Sequence, residues 1–139
     1  MDRPYTIDHL DHLVLRVRDL ERAVAFYQTL GGTVCIRRAD NVSLEMGGAT
    51  RVTLKHEPAF EPPSVSSVEH VNFAVTAASI DTVAEYLRAQ GIEVFEEDRS
   101  HTSPSIRVLD PELNVVEIRL AGPSAALLQA GSLRRPETA

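Results

Sequence analysis

Two stretches of the chain repeat one pattern, and this internal repeat limits the fold more than any other feature of the sequence. The first copy reads as a strand, HLVLRV, a helix, LERAVAFYQTL, and a second strand, TVCIR; the second copy reads HVNFAV, IDTVAEYLRAQ and IEVF. Asp19 and Ser79 precede the helices, where a short side-chain oxygen accepts hydrogen bonds from free N–H groups of the first turn. Gly31 and Gly91 follow the helices, where a left-handed residue commonly ends a helix. A strand–helix–strand unit therefore occurs twice.

Each helix is followed by three runs that are typical of strands, separated by turn residues such as Gly47-Gly48. The runs are 33–37, 41–46 and 51–55 in the first half, and 93–95, 105–109 and 115–120 in the second. Each half is therefore predicted to be a βαβββ module. The predicted fold class is α+β, with two such modules forming an eight-stranded cup-shaped sheet and the helices on the outside.

The stretch between the halves, EPAFEPPSVSS, is rich in proline and serine and is typical of a linker. We predict one domain over residues 1–121, with a first module at about 8–58, a linker at 59–68 and a second module at about 69–121. Residues 122–139 lose the repeat pattern and are predicted to form a C-terminal tail.

Strand side chains alternate between the two faces of a sheet, and this alternation separates apolar from polar residues here. In the first strand Leu13, Leu15 and Val17 share the face predicted to pack under the helix. The opposite faces are polar and carry His12, Arg16, Ser43, Glu45, Thr53, Lys55, His70, Asn72, Ser105, Arg107, Glu117 and Arg119. On the floor of a cup, His12, His70 and Glu117 would then come from three separate strands.

Two imidazoles and one carboxylate suit a divalent transition metal: Fe, Mn, Zn, Ni or Co. Three protein ligands leave coordination positions open, as a catalytic metal requires. Such an ion binds adjacent oxygens of a substrate and stabilises an enolate or alkoxide. The alternative is that each histidine is a solvated or hydrogen-bonded residue at the start of its strand.

Three stretches resemble the vicinal oxygen chelate superfamily, which includes glyoxalase I, extradiol dioxygenases, fosfomycin-resistance thiol transferases and bleomycin-resistance proteins. They are DHLVLRVRDLERAVAFYQTLGG, HVNFAVTAASIDTVAEYLRAQGIEV and RVLDPELNVVEIRL, and the resemblance covers about residues 8–121. The last is similar to the family ending Asp-Pro-x-x-Asn-x-x-Glu, whose glutamate is a metal ligand. The resemblance implies His12, His70 and Glu117 as ligands of one divalent metal per site. Glyoxalase I has a fourth ligand, a glutamate, where this chain has Thr53.

The stretch VTLKHEPAFEPP is similar to the middle of small stand-alone glyoxalase-domain proteins. The first functional hypothesis is a metal-dependent enzyme acting on a small substrate chelated through adjacent oxygens, by lyase, isomerase, dioxygenase or thiol-transferase chemistry. His101, in the loop RSHTSPS, is the candidate acid–base residue, because histidine titrates near neutral pH. The candidate substrate-binding residues are Arg16, Asn72, Arg107 and Arg119. An exposed loop histidine and solvated rim charges are the alternatives.

The second hypothesis is a metal-free protein of the bleomycin-resistance type that binds a small molecule. Such a protein needs no triad and tends to line its cup with aromatic residues. This chain has no tryptophan, three tyrosines and four phenylalanines, which disfavours that hypothesis. A third possibility is a scaffold that keeps the fold without chemistry, and the intact triad argues against it.

Charge and composition exclude other classes of function. A net charge of −6 argues against nucleic acid as a partner. No apolar run approaches the ~18 residues of a membrane span, and MDRPYTID lacks the apolar core of a signal peptide. The single cysteine, Cys35, excludes an intrachain disulfide and fits a reducing cytosol. We therefore expect a cytoplasmic protein, and a homodimer because C2 dimers are the commonest closed assembly.

Overall fold

The computed structural model describes residues 2–100 and 104–121. The predicted acid–base residue, His101, and the predicted tail at 122–139 lie outside these residues. The first half contains β1 (His12–Val17), α1 (Leu20–Leu30), β2 (Thr33–Arg37), β3 (Asn41–Glu45) and β4 (Arg51–His56). The second half contains β5 (Val71–Val75), α2 (Ile80–Ala89), β6 (Val94–Asp98), β7 (Ser105–Leu109) and β8 (Val115–Leu120). Both predicted βαβββ modules are confirmed.

The described strands form two four-stranded sheets with one topology, β1-β4-β3-β2 and β5-β8-β7-β6. In each sheet the first strand of the module pairs in parallel with the last, and the other pairs are antiparallel. A parallel pair needs a long crossover between its strands, which the helix and the two intervening strands supply. The predicted α+β fold is confirmed.

The helices begin at the predicted caps. The side chain of Asp19 accepts a hydrogen bond from Arg22 N at 3.1 Å, and that of Ser79 accepts one from Thr82 N at 3.2 Å. Gly31 ends α1 with φ of +123°, a value that only glycine adopts easily. The capping bonds satisfy N–H groups that have no partner within the helix.

Each helix buries one face against its own sheet. In α1 the buried residues are Ala23, Val24, Phe26 and Tyr27, and this helix packs on β3 and β4. In α2 the buried residues are Ile80, Ala84 and Leu87, and this helix packs on β6 and β7. Burying one such large apolar side chain contributes about 1.5–3 kcal/mol. The sheet faces opposite the helices remain available for polar side chains.

The chain divides into two compact units that do not follow the sequence halves completely. Among the described residues, the first unit contains 2–65 and Asp110–Glu112, and the second contains 66–100, 104–109 and 113–121. The turn after β7 thus belongs to the first unit. No helix among the described residues has the length and apolar character needed to cross a membrane.

Residues 110–112 are bound to the first unit by buried polar contacts. The hydroxyl of Tyr27 donates a hydrogen bond to Asp110 Oδ2 at 2.6 Å, and Asp110 Oδ1 accepts from Glu112 N at 2.8 Å. The carboxylate of Glu112 accepts from Arg18 N at 2.9 Å and from Arg18 Nε at 2.8 Å. Burial, followed by the negative charge of Asp110, raises the pKa of Tyr27 far above its usual range.

Candidate metal ligands and a polar cleft

The strand registers show that the predicted ligand positions are equivalent in the two modules. Val14, two residues after His12, pairs with Thr53, and Asn72, two residues after His70, pairs with Glu117. Thr53 is therefore the counterpart of Glu117, as the sequence repeat predicts. The first module thus has a hydroxyl where the second has a carboxylate.

His70 and Glu117 lie together in the second unit. His70 directly precedes β5, and Glu117 is in the middle of β8, in register with the strand on either side. His70 Nε2 lies 3.3 Å from Glu117 Oε1, and Glu117 is only 5% exposed. An imidazole nitrogen therefore faces a buried carboxylate oxygen at close range. Both atoms are of types that bind divalent transition metals.

Two guanidinium groups also contact Glu117. Arg107 Nη2 lies 3.3 Å from Oε1, and Arg119 Nη2 lies 3.3 Å from Oε2. Arg107 reaches Glu117 across the β7–β8 ladder, where the two residues are directly opposite. These cations compensate the negative charge of a carboxylate that is removed from water.

An acidic residue precedes each histidine and binds the ring through Nδ1. His12 Nδ1 lies 2.7 Å from Asp11 Oδ2, and His70 Nδ1 lies 3.1 Å from Glu69 Oε1. The hydrogen bond from His12 lowers the pKa of the Asp11 carboxyl. A carboxylate on Nδ1 fixes the ring orientation and directs Nε2 outward, as the outer partners of metal-binding histidines do.

His12 belongs to the first unit, whereas His70 and Glu117 belong to the second. Its ring is about half exposed, and its neighbour Asp11 also contacts Arg51, with Oδ2 3.5 Å from Nη2. Within residues 2–100 and 104–121, no three His, Cys, Asp or Glu side chains come close enough together to hold a metal ion. The triad of His12, His70 and Glu117 therefore stays a prediction.

The other predicted substrate-binding residues are exposed. Arg16 Nε makes an ion pair with Glu57 Oε2 at 3.1 Å. Asn72 lies directly opposite Glu117 in the β5–β8 pair, and Arg119 lies next to Ala74. Of the predicted set, Asn72, Arg107 and Arg119 therefore surround Glu117, whereas Arg16 lies in the first unit.

The first unit contains a polar cleft of about 550 Å³ on the sheet face away from α1. It is lined by His12, Val14, Ile36, Arg38, Asp40, Asn41, Ser43, Arg51, Thr53 and Lys55. On its floor Ser43 Oγ and Thr53 Oγ1 lie 2.8 Å apart in a hydrogen bond. Sequence reasoning assigned no role to Arg38 or Arg51. Only the structure shows that Arg51 lies directly opposite His12 in the β1–β4 pair, and that Arg38, just after β2, lines the same cleft.

Comparisons with known proteins agree with this architecture. A family model described as the glyoxalase/bleomycin resistance protein/dioxygenase superfamily matches residues 9–118. Glutathione transferase FosA from Serratia marcescens is 26% identical over 123 residues, which cover 87% of this chain and 86% of FosA.

Two solved structures show the fold. A glyoxalase/dioxygenase from Nostoc punctiforme superposes with a TM-score of 0.77 at 18% identity, covering 88% of this chain and 97% of that protein. The fosfomycin resistance protein FosX from Listeria monocytogenes superposes with a TM-score of 0.70 at 18% identity, covering 86% of this chain and 98% of FosX. With most of its length matched by the family model, the chain belongs to the glyoxalase/bleomycin resistance protein/dioxygenase superfamily.

Proposed function

We propose that this protein is a divalent-metal-dependent enzyme acting on a small substrate chelated through adjacent oxygens. The observation that carries the proposal is the position of His70 between two carboxylates, Glu69 on Nδ1 and Glu117 on Nε2. An imidazolium would donate to both carboxylates, whereas the neutral imidazole that ligates metals has one N–H and donates to only one. In the neutral form the other nitrogen faces a carboxylate oxygen with its lone pair, and a cation bound between them would satisfy both.

The proposed protein ligands are His12, His70 and Glu117. The residues fit a borderline transition metal, because imidazole and carboxylate donors together suit Fe, Mn, Zn, Ni and Co. Thr53 at the position equivalent to Glu117 limits the protein ligands to three, since a threonine hydroxyl is a poor ligand for these ions. When bound, the ion would polarise the oxygens of the substrate.

The remaining side chains have proposed roles in binding and proton transfer. Arg107 and Arg119 are 3.3 Å from Glu117 and are suited to hold a negative group of the substrate beside it. Asn72, in register with Glu117, is suited to orient the substrate by hydrogen bonds. His101 is proposed to move the proton, because histidine exchanges protons near neutral pH.

Relatives suggest which reactions to test. One relative is a glutathione transferase, and one superposable structure, from Agrobacterium tumefaciens, is a lactoylglutathione lyase. The corresponding assays are transfer of glutathione to an electrophile and lyase activity on lactoylglutathione, with ring cleavage of a catechol to represent dioxygenases. Each assay is to be run with each of the five metals. We also propose that the protein is a cytoplasmic homodimer. Size-exclusion chromatography with light scattering would measure the mass of the assembly.

The alternative function is a metal-free protein that binds a small molecule. The observation that favours it is the double contact of Glu117 with Arg107 and Arg119, which already neutralises the carboxylate without a metal. Under this alternative the Glu117 cluster is a structural ion-pair network, and His12 is a polar wall of the cleft.

The test is the metal content of untagged protein purified without chelator, beside Glu117→Gln and His70→Asn. A matched control is Glu85→Gln, which removes one exposed carboxylate from α2. We expect about one transition metal ion per chain in the wild type and the control, and loss of the metal in both site variants. An equal content of about one ion in all four proteins would refute His70 and Glu117 as ligands. No uptake after incubation with each of the five ions would favour the metal-free alternative.

A further inference from the structure

The cleft of the first unit is positively charged although the chain as a whole is acidic. Its lining includes Arg38, Arg51 and Lys55 and one acidic residue, Asp40, whereas the chain has a net charge of −6. A concave site of one sign concentrates ligands of the opposite sign. The cleft is therefore better suited to an anionic ligand than to a cationic one.

The positive side chains of the cleft form few ion pairs with the other described residues. Lys55 Nζ makes one ion pair, with Glu57 Oε1 at 3.4 Å, and Arg51 Nη2 makes one with Asp11 Oδ2 at 3.5 Å. The acidic residue of the lining, Asp40, already binds its neighbour in the chain: its Oδ1 accepts a hydrogen bond from Asn41 Nδ2 at 2.9 Å. Because an ammonium has three N–H donors and a guanidinium five, each cation keeps donors that an anion can bind, while Asp40 already accepts one hydrogen bond.

The residues on the floor and walls of the cleft indicate which class of ligand it can bind. Ser43 and Thr53 share one hydrogen bond, so one of the two hydroxyl groups retains a hydrogen that it can donate. Val14, about half exposed, and Ile36 supply apolar surface beside these hydroxyls. The lining thus combines cations, a hydroxyl donor and a small apolar wall.

We infer that this cleft binds a small organic anion, a carboxylate or a phosphate ester with a short apolar part, through Arg38, Lys55 and the Ser43–Thr53 hydroxyl pair. Anion binding requires no metal. Its link to catalysis rests on the proposed function: because His12 lines the same cleft, the anion would be the charged group of the substrate.

The test uses full-length protein treated with chelator, titrated at low ionic strength and followed by amide chemical shifts in ¹H–¹⁵N NMR. The probes are butyrate, butyl phosphate and butyramide, which has the shape of butyrate without its charge. The carboxylate and phosphate arms distinguish the two anion classes. The variants are Arg38→Gln and Lys55→Gln, and the matched control is Arg22→Gln, which removes an exposed guanidinium from α1.

We expect saturable shifts at Asn41, Ser43 and Thr53 with at least one anion, and none with butyramide. Each cleft variant should weaken binding about threefold to tenfold, as loss of one charge-assisted hydrogen bond predicts. Arg22→Gln should leave the affinity unchanged, and added salt should lower it. Equal binding of butyramide, equal affinity in the cleft variants, or shifts confined to residues 66–109 would overturn the inference. The metal measurement above concerns His70 and Glu117, so either proposal can fail while the other stands.

Discussion

Tyr27 and Asp110 are 83 residues apart in the chain and share a hydrogen bond of 2.6 Å in which both side chains are almost completely buried. A buried polar group without a partner costs more than the hydrogen bond itself contributes. The bond therefore links α1 to the turn after β7 through two buried polar groups.

Replacing Tyr27 with phenylalanine should destabilise the protein. The change removes one donor to buried Asp110 while keeping the aromatic ring, so we expect a loss of about 1–3 kcal/mol in the free energy of unfolding. Urea denaturation followed by circular dichroism would measure it. Tyr5→Phe, at an exposed tyrosine, is the control and should change stability little. Equal midpoints for the two variants would contradict the prediction.

Stability should also fall at alkaline pH because of Tyr27. Its pKa is raised in the folded protein, so above about pH 10 the unfolded phenol loses a proton that the folded one keeps. The contribution is complete below about pH 10 and decreases as the pH rises, by up to about 1.4 kcal/mol per pH unit. Denaturation between pH 9 and 11 would show this slope, and Tyr27→Phe should reduce it. An identical slope in that variant would assign the effect to other groups.

Arg107 should compete with a metal for Glu117. Its guanidinium nitrogen is 3.3 Å from the oxygen that also faces His70, so removing the cation lowers the repulsion that a metal ion meets there. Arg107→Gln should therefore raise metal affinity about tenfold, as a charge interaction of one to a few kcal/mol predicts. Calorimetric titration with Ni or Zn ions would measure this. Arg88→Gln, an exposed arginine paired with Glu97, is the control; weaker metal binding in Arg107→Gln would refute the competition.

The acidic residues before the histidines should act through the rings they contact. Asp11→Asn and Glu69→Gln remove the carboxylates on Nδ1, and we expect metal affinity to fall about tenfold, at the low end for such outer partners because both are exposed. The visible spectrum of the Co-loaded variants reports the ligand field, which a purely structural effect would not alter. Asp8→Asn is the control at an exposed carboxylate nearby. Unchanged affinity and spectrum would show that the rings need no such support.

Gly32 should tolerate no side chain. A Cβ at this position would lie 2.9 Å from the carbonyl oxygen of Tyr27 and 2.6 Å from Met46 Sδ. Because backbone cannot move aside cheaply, Gly32→Ala should cost about 1–3 kcal/mol in the free energy of unfolding. Gly91→Ala, where a Cβ meets open space but φ is +83°, should cost only about 1 kcal/mol. Thermal denaturation of the two variants would compare them, and a smaller loss for Gly32→Ala would contradict this packing argument.

The repeat made much of the fold predictable. Alternation in HLVLRV and HVNFAV, with caps at Asp19 and Ser79, predicted both modules, because local propensity and the burial pattern agree at these positions. The equivalence of Thr53 and Glu117 also followed from counting along the repeat. The limits of β6 were less predictable: the strand was expected at 93–95 and extends over Val94–Asp98. The last three residues of β6, Glu96, Glu97 and Asp98, are charged and exposed, so they lack the hydrophobic signal of a strand.

Contacts between distant parts of the chain were not predictable. Nothing in the sequence pairs Arg18 with Glu112, 94 residues away, because either residue alone resembles an ordinary surface charge. The cleft was not predicted for a similar reason. Arg38 lies in the connection after β2, and only the pairing of the strands brings it into the same cleft as His12. The dipeptides Asp11-His12 and Glu69-His70 were visible in the sequence, but only the structure shows each carboxylate on the ring nitrogen.

The inclusion of residues 110–112 in the first unit bears on whether the chain can be divided. A fragment ending at residue 65 would contain all of β1 to β4 yet leave the Tyr27 hydroxyl and the Arg18 guanidinium without the carboxylates that bind them. The two sequence repeats are therefore not two self-sufficient polypeptides. A gene cut between them would yield a first product that needs a short peptide from the second to complete its interior.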